Sequence, residues 1–150
     1  MDAMDLRILR IVQSCPDIAV ADIAEKAGLS HTPCWRRLKN LEADGVIRGR
    51  VAVLDPQAFG LSVNVYASIR LNRHDEETLN SFEAAVRLRP EIVECFLMGG
   101  DSDYLLRVVV RSIDDYEQLQ RKFLLHLPGV ASLNSSFTLK CIKLTTELPI

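Results

Sequence analysis

The chain has 150 residues, of which 48% are hydrophobic and 25% charged, and this balance excludes a disordered protein. The length suits one ordinary domain or two small ones. The net charge of −2 gives no sign of a nucleic-acid-binding protein, but residues 30–50 contain five basic and two acidic residues, whereas residues 55–150 contain ten and thirteen. Because phosphate binding depends on the local charge, the basic stretch keeps a DNA-binding function open.

The first two predicted helices are short and amphipathic. Residues 4–14 place apolar residues at helical spacing between charged ones, and Pro16 and Asp17 end that pattern. A shorter helix follows over Val20 to Ala27 and ends at Gly28. Together they lead into a basic stretch that decides how this part of the chain is interpreted.

The stretch Leu29–Gly45 predicts a third helix with one apolar stripe and one basic, hydrogen-bonding face. Ser30 or Thr32 can cap its start, and Pro33 suits the first turn, where a missing N–H costs nothing. Helix, helix, glycine-containing turn and helix is the spacing of a helix-turn-helix, whose second member enters the major groove of DNA. The alternative is a three-helix bundle with a solvated outer face.

A wing is predicted directly after the third helix. Residues 46–54 contain β-branched residues around Gly49 and predict a small β-hairpin. Arg48 and Arg50 can point the same way and contact phosphates, or they are simply solvated strand residues. We therefore predict a winged helix-turn-helix domain over residues 1–54 and a turn-rich linker over residues 55–61.

The candidate DNA-binding residues combine groups that suit bases with groups that suit phosphates. Arg36 can bind guanine, and Asn40 adenine, through two hydrogen bonds each. Trp35 either packs against the preceding helices or contacts DNA, and His31 either touches a phosphate or is merely exposed. The full set is Ser30, His31, Thr32, Trp35, Arg36, Arg37, Lys39, Asn40, Arg48 and Arg50.

Residues 62–150 predict the order βαββαβ, which forms a four-stranded antiparallel sheet with two helices on one face, the ferredoxin-like arrangement. Strands are expected over residues 62–71, 91–98, 104–111 and 130–143, the last irregular near residues 134–136, and helices over 75–88 and 113–127. Val63, Val65 and Val108–Val110 indicate apolar surface on both sides of the sheet. We therefore expect a second copy of the sheet to cover the open face, which makes the protein a homodimer.

The four cysteines, Cys15, Cys34, Cys95 and Cys141, are far apart and contain no C-x-x-C pair. We expect free thiols in a reducing compartment, with a zinc site or a disulfide as the alternative. Charged residues interrupt the N-terminal stretch, and no apolar run is long enough to span a bilayer. These features predict a cytoplasmic protein without a membrane partner, a metal or a cofactor.

Five motifs follow one another along the whole chain. They are Gly28-Leu29-Ser30 with Thr32-Pro33-Cys34, Arg37-Leu38-x-x-Leu41-Glu42-x-x-Gly45-Val46-Ile47, Gly100-Asp101-x-Asp103-Tyr104, Leu127-Pro128-Gly129-Val130, and the tail Ile142–Ile150. In this order they resemble the Lrp/AsnC family of bacterial and archaeal transcription regulators. The resemblance implies a DNA-binding domain joined to a ligand-sensing domain, dimers that assemble into tetramers or octamers, and an amino acid or similar small metabolite as effector.

The resemblance also implies an effector site at the predicted hairpin turn 99–103, which by itself is only a turn. An acidic side chain there can receive an ammonium group, and backbone N–H groups a carboxylate. Relatives often have two threonines at alternating positions of the last strand, where this chain has Leu133 and Ser135, so a different effector or an unused site stays open. The candidate residues are Gly100, Asp101, Asp103, Tyr104, Ser135 and Ser136.

Two other functions fit the same two-domain plan. The first is an enzyme similar to the sirohaem decarboxylases, which process a tetrapyrrole and need basic groups with histidine or tyrosine. The histidines of the second domain, His74 and His126, lie far apart in the sequence, so we predict no catalytic residues and no enzyme. The second is an architectural protein that wraps DNA without an effector and with little sequence preference.

Overall fold

The computed structural model describes residues 1–15 and 17–150, so the predicted helix break at Pro16 lies outside the described residues. The chain divides into two compact units. Unit 1 contains Met1–Val53 and Ile142–Ile150, and unit 2 contains Leu54–Cys141. Throughout the described residues, every helix is too short or too polar to cross a membrane.

Three helices form the body of unit 1, and local sequence signals fix their ends. They are α1 (Ala3–Ser14), α2 (Val20–Ala27) and α3 (His31–Ala43). A capping box starts α1, because Asp2 and Asp5 each accept the backbone N–H of the other. Gly28 ends α2 with a φ of 74°, in the left-handed region that glycine adopts without strain. The three helices share one core, which confirms the predicted helix-turn-helix. The core residues are Ile8, Leu9, Val12, Ile23, Ala24, Ala27, Cys34, Leu38 and Leu41.

The predicted β-hairpin over residues 46–54 is not formed. Within that described stretch no residue lies in a strand, and Val51 and Val53 are about three-quarters exposed. Ile47 donates its N–H to the Leu41 carbonyl at 3.0 Å, which ties the start of the segment to the end of α3. An isolated two-stranded hairpin is marginally stable in water, and this one lacks a third strand or a covered apolar face.

The C-terminal segment 142–150 contacts α1 through polar groups. The Gln13 side-chain amide donates to the Leu148 carbonyl at 3.0 Å and accepts the Leu148 N–H at 3.1 Å. Arg10 Nε donates to the Ile150 carbonyl at 2.7 Å. Because these contacts involve backbone atoms of the tail, no apolar pattern in the sequence signals them. The expected domain division had assigned this segment to the second domain, whereas the structure groups it with unit 1.

Unit 2 has the predicted ferredoxin-like order. Its elements are β1 (Val63–Leu71), α4 (Glu76–Arg87), β2 (Ile92–Leu97), β3 (Tyr104–Val110), α5 (Ile113–Lys122) and β4 (Val130–Phe137), with 3-10 turns at Pro56–Phe59 and Leu124–His126. The four strands lie in the order β2-β3-β1-β4, and every pairing is antiparallel. Asp75 caps α4 by accepting the Thr78 N–H at 3.0 Å.

Alternate residues of the strands face the helices. Val65, Val108 and Val110 lie on that side and are buried in the core of unit 2. They therefore do not supply apolar surface to the open face, which corrects the argument drawn from them. On the open face, Tyr66 is 37% exposed and Phe96 is 53% exposed. Together with Val109, which alternation places on the same face, these aromatic side chains are what a second copy would cover.

Two predicted elements of unit 2 end earlier than expected. The helix expected to reach residue 127 ends at Lys122, because Phe123 has a φ of −132° and a 3-10 turn follows. The last strand ends at Phe137 and not near residue 143. Residues 134–136 pair regularly with β1, and the irregularity lies between Arg70 and Leu71 of β1, opposite the start of β4.

Candidate DNA interface and effector site

The outer face of α3 is exposed and rich in hydrogen-bonding groups. Thr32, Arg36, Lys39 and Asn40 all face solvent, whereas the opposite stripe of the helix lies in the core of unit 1. Trp35 is 48% exposed, so its indole lies at the border between core and solvent. Such a face offers guanidinium, ammonium, amide and hydroxyl groups to base edges.

Arg37 does not share that face, although we had placed it among the DNA contacts. Its Nη1 lies 2.8 Å from Asp2 Oδ2 and 2.6 Å from Asp5 Oδ1, so it joins α3 to the start of α1. Hydrogen bonds to Asp5 and then Asp2 raise the pKa of the Arg37 guanidinium. The pKa of Asp2 is lowered by the Asp5 N–H and by Arg37. Arg37 therefore orients the recognition helix and is not free to bind a phosphate.

Glu42 contacts two of the other basic residues. Lys39 Nζ lies 2.8 Å from Glu42 Oε2, and Arg50 Nη2 lies 3.9 Å from Glu42 Oε1. The hydrogen bond from Lys39 is the main cause that lowers the pKa of Glu42. Lys39 and Arg50 are exposed and Glu42 is partly exposed, so these pairs can exchange for phosphate contacts at little cost.

Four further candidates remain open to DNA. Arg36 and Arg48 are exposed, and neither takes part in an ion pair within the described residues. Ser30 and His31 are exposed at the start of α3. Ser30 has the backbone conformation of an N-cap, but its hydroxyl makes no capping bond. Ser30, His31 and Arg36 therefore lie at the N-terminal half of α3, the part that enters the groove in helix-turn-helix proteins, whereas Arg48 follows the end of α3.

A cleft of about 380 Å³ lies at the hairpin between β2 and β3 in unit 2. Two strands and the hairpin meet there, because the end of β1 pairs with the start of β4. We name it the Asp101 cleft. Its lining residues are Arg70, Leu71, His74, Gly100, Asp101, Asp103, Ala131 and Ser132.

Asp103 is fixed by internal hydrogen bonds. Its Oδ2 accepts the Leu71 N–H at 2.6 Å, and its Oδ1 lies 2.8 Å from His74 Nε2. The Leu71 N–H, followed by His74, lowers the pKa of Asp103. Asp101 is exposed beside it, and no ion pair involves Asp101 in the part of the chain described. Asp103 therefore shapes the cleft, and Asp101 is the carboxylate available to a ligand.

Tyr104 does not line the Asp101 cleft. Its ring is 1% exposed and stacks on Phe82 with centroids 4.4 Å apart, and its hydroxyl donates to Glu83 at 3.0 Å. Burial and the neighbouring Glu83 raise the pKa of Tyr104 to about 12. The residue lies in the core because β3 alternates, and its position after Asp103 turns it towards the helices.

Ser135 and Ser136 lie on opposite faces of the sheet, so they cannot form one wall together. Ser135 faces the helices, where its hydroxyl lies 2.5 Å from the buried Tyr116 hydroxyl. Ser136 is opposite Tyr66 on the open face. The wall of the Asp101 cleft on β4 instead comes from Ser132, opposite Arg70. Arg70 carries no signal of its own in the sequence, and its place in the cleft follows from the pairing of β1 with β4.

Ser135→Ala is expected to lower the free energy of unfolding by about 1–2 kcal/mol, because the buried Tyr116 hydroxyl loses its partner. Ser136→Ala is the matched control and should change stability by less than about 0.5 kcal/mol. Urea unfolding of both variants at one protein concentration measures the difference. Equal stabilities would contradict the structural role of Ser135.

Comparisons with known proteins cover both units. Residues 64–148 match the family model of the Lrp/AsnC ligand binding domain, and residues 1–48 match a winged helix-turn-helix DNA-binding model. The glutamate uptake regulatory protein of Zymomonas mobilis is 38% identical over 150 residues, which cover all of this chain and 91% of the relative.

Two solved structures extend the comparison to three dimensions. An AsnC family transcriptional regulator from Agrobacterium tumefaciens is 48% identical with a TM-score of 0.93, over 99% of this chain and 97% of that chain. A transcriptional regulator from Neisseria meningitidis, solved as a complex with L-methionine, is 34% identical with a TM-score of 0.94. The match covers 99% of this chain and 96% of that chain. The likeness therefore covers the full length of the described chain.

Proposed function

This chain belongs to the Lrp/AsnC family of DNA-binding transcription regulators, and from that premise we propose that an amino acid bound in the Asp101 cleft controls its operator binding. The observation that carries the DNA-binding half is the exposed polar face of α3, opposite a buried apolar stripe. The observation that carries the effector half is a cleft with one open carboxylate and one open guanidinium.

The cleft is chemically suited to a zwitterion. The Asp101 carboxylate can accept from an ammonium group, and the Arg70 guanidinium can bind a carboxylate through two hydrogen bonds. The Ser132 hydroxyl supplies a further donor or acceptor beside them. The L-methionine complex of the Neisseria relative supports an amino acid as the ligand, and the effector of this chain is proposed only as that class.

DNA binding is tested on the upstream region of the protein's own gene. Fluorescence anisotropy should give an affinity that falls steeply with salt and a specificity ratio of at least about 10³ over unrelated DNA. A thermal-shift screen of the twenty amino acids identifies the effector, because a ligand that binds the folded state raises apparent stability. A small specificity ratio that no amino acid changes would favour the architectural alternative.

Asp101→Asn is expected to abolish the effector response while DNA binding without effector stays within twofold of the parent chain. The amide retains the shape of the side chain but carries no charge, so it cannot form an ion pair with an ammonium group. The amino acid found in the thermal screen is titrated into the protein–operator complex in both forms. Asp114→Asn, an exposed substitution outside the cleft, is the control. A full response in Asp101→Asn would remove this residue from the site.

We also infer assembly through the sheet. Strand β2 is an edge strand on which Val93, Phe96 and Leu97 are 47%, 53% and 69% exposed, and apolar sheet edges are sites of association. A homodimer that assembles further into tetramers or octamers would cover them. Sedimentation equilibrium should give at least the mass of a dimer, and Phe96→Lys should lower it. A monomer at micromolar concentration would contradict the assembly.

The proposal assigns the chain a regulatory and not an enzymatic role. It is supported by the Zymomonas relative, which is named as a regulatory protein, and by the Agrobacterium structure, which is named as a transcriptional regulator. The tetrapyrrole alternative requires turnover, so incubation of the purified protein with sirohaem separates the two. Consumption of sirohaem would overturn the regulatory assignment.

A further inference from the structure

A second cleft, of about 450 Å³, lies in unit 2 at the other end of the sheet from the Asp101 cleft. The end of β3 and one side of α5 form it, together with Leu61 before β1 and the segment before β2. We name it the Arg111 cleft, and five charged residues line it. They are Arg89, Glu91, Arg111, Asp115 and Lys122.

Two charges of the Arg111 cleft contact groups of the fold, because Lys122 Nζ donates to Gln118 Oε1 at 3.5 Å and the Arg89 guanidinium packs on Phe123. Three of these side chains are basic and two are acidic, so the cleft has a formal charge of +1. Among the described residues, none of the five forms an ion pair, either with one another or with other side chains. Cations and carboxylates that share a cleft without pairing can receive a ligand that carries both signs.

Glu91 supplies the sharpest observation. Its Oε2 is buried and has no hydrogen-bond partner among the described residues. Buried polar atoms are almost always partnered, since leaving one without a donor costs free energy. The backbone of Glu91 is fixed, because its carbonyl accepts the Val109 N–H at 2.9 Å. One oxygen of the Glu91 carboxylate therefore lacks a donor within the described residues, and an ammonium group bound at this carboxylate would supply one.

Arg89 supplies an oriented cation. Its guanidinium carbon lies 4.0 Å from the centroid of the Phe123 ring, so the planar group packs on the aromatic face. Packing of this kind leaves the N–H edge free to bind a carboxylate through two hydrogen bonds. Arg111 and Lys122 add exposed positive charge at the rim. Leu119 and Phe123 provide an apolar wall for the carbon chain of a ligand.

We propose that the Arg111 cleft is a second small-molecule site and that it binds an acidic α-amino acid. The ammonium group donates to Glu91, and the two carboxylates bind Arg89 and Arg111. Such a ligand has a net charge of −1, which balances the cleft. This site is separate from the Asp101 cleft, and its existence does not depend on the function proposed for that cleft.

Isothermal titration calorimetry of the full chain tests the proposal with L-glutamate and L-aspartate as probes. Glutarate lacks the ammonium group, L-glutamine lacks the second carboxylate, and each should bind on the order of tenfold more weakly than L-glutamate. Arg111→Gln and Glu91→Gln should weaken L-glutamate by a similar factor. Arg121→Gln, an exposed substitution on α5 outside the cleft, should bind L-glutamate as the wild-type chain does, and Asp101→Asn should keep the L-glutamate that is bound in the Arg111 cleft.

Each of four results would contradict the proposal. L-glutamate that binds no more tightly than sulfate would indicate an adventitious ion only. Binding that is lost in Asp101→Asn and kept in Arg111→Gln would mean that the Asp101 cleft is the sole site. Equal affinities for glutarate and L-glutamate would remove Glu91 as the ammonium acceptor. A wild-type chain that binds neither acidic amino acid would also refute the proposal.

Discussion

Arg36→Ala should lower the affinity for the operator by about 1–3 kcal/mol for each recognition helix and should relax the base preference at the contacted position. The guanidinium is exposed in the middle of the outer face of α3 and has no ion pair in the described structure. A guanidinium free of internal partners can bind the edge of guanine through two hydrogen bonds. Anisotropy titrations against the operator and against single-base variants measure both effects.

Arg7→Ala is the matched control for Arg36→Ala, because it removes the same charge from an exposed position on α1. Any loss of affinity that it causes should be the same for all DNA sequences, so the ratio of operator affinity to non-specific affinity should stay unchanged. Arg37→Ala tests stability and not base recognition, because Arg37 pairs with Asp2 and Asp5. It should lower the thermal stability of unit 1. Base preference unchanged in Arg36→Ala would show that α3 uses another residue for base contacts.

Gly129→Ala should lower the free energy of unfolding by about 2–4 kcal/mol. Gly129 has a φ of 73°, in the left-handed region that alanine adopts only at a cost, and its added Cβ would lie within 2.4 Å of Thr78 Cγ2. The Thr78 hydroxyl hydrogen-bonds to Asp75 at the start of α4, which limits how far the side chain can turn away. Backbone strain and steric overlap therefore act together. Urea unfolding at a single protein concentration measures the loss.

Two variants separate the causes of the Gly129→Ala effect. Gly99→Ala should be nearly neutral, because its added Cβ meets no heavy atom within 4 Å and its φ is not positive. In Gly129→Ala/Thr78→Ser the overlapping methyl is gone while the hydroxyl remains, so about 1–3 kcal/mol should be recovered. If Gly129→Ala unfolds at the same urea concentration as Gly99→Ala, the turn before β4 adapts freely and the structural argument fails.

The parts of the fold that the sequence predicted are those fixed by local patterns. Helical periodicity and Gly28 define the three helices of unit 1, and period-two alternation defines the strands of unit 2. The hairpin over residues 46–54 has the same local signals but no third strand to stabilise it, so the prediction was wrong. Local pattern cannot report whether a pairing partner exists.

The candidate sites also contain residues that a local pattern predicts and residues whose role depends on the three-dimensional fold. Alternation along β4 already separates Ser135 from Ser136, but only the register with β1 shows which of them faces Tyr116. Arg37 looks like the other basic residues of α3, and its role depends on two aspartates more than thirty positions away. Arg70 and His74 gave no signal by themselves, because a charged residue near the end of a strand is usually solvated. Charge in the sequence therefore identified the outer face of α3 better than the cleft.

The attachment of segment 142–150 to α1 has a consequence for biosynthesis. On the ribosome, Arg10 and Gln13 are made early, whereas their partners Leu148 and Ile150 follow only after all of unit 2. The N-terminal unit can therefore form its helical core during translation but acquires its last contacts when the C-terminal segment emerges. A premature stop codon after residue 141 would leave α1 without these contacts. A truncation at the 3′ end of the gene would then weaken the N-terminal unit of the protein.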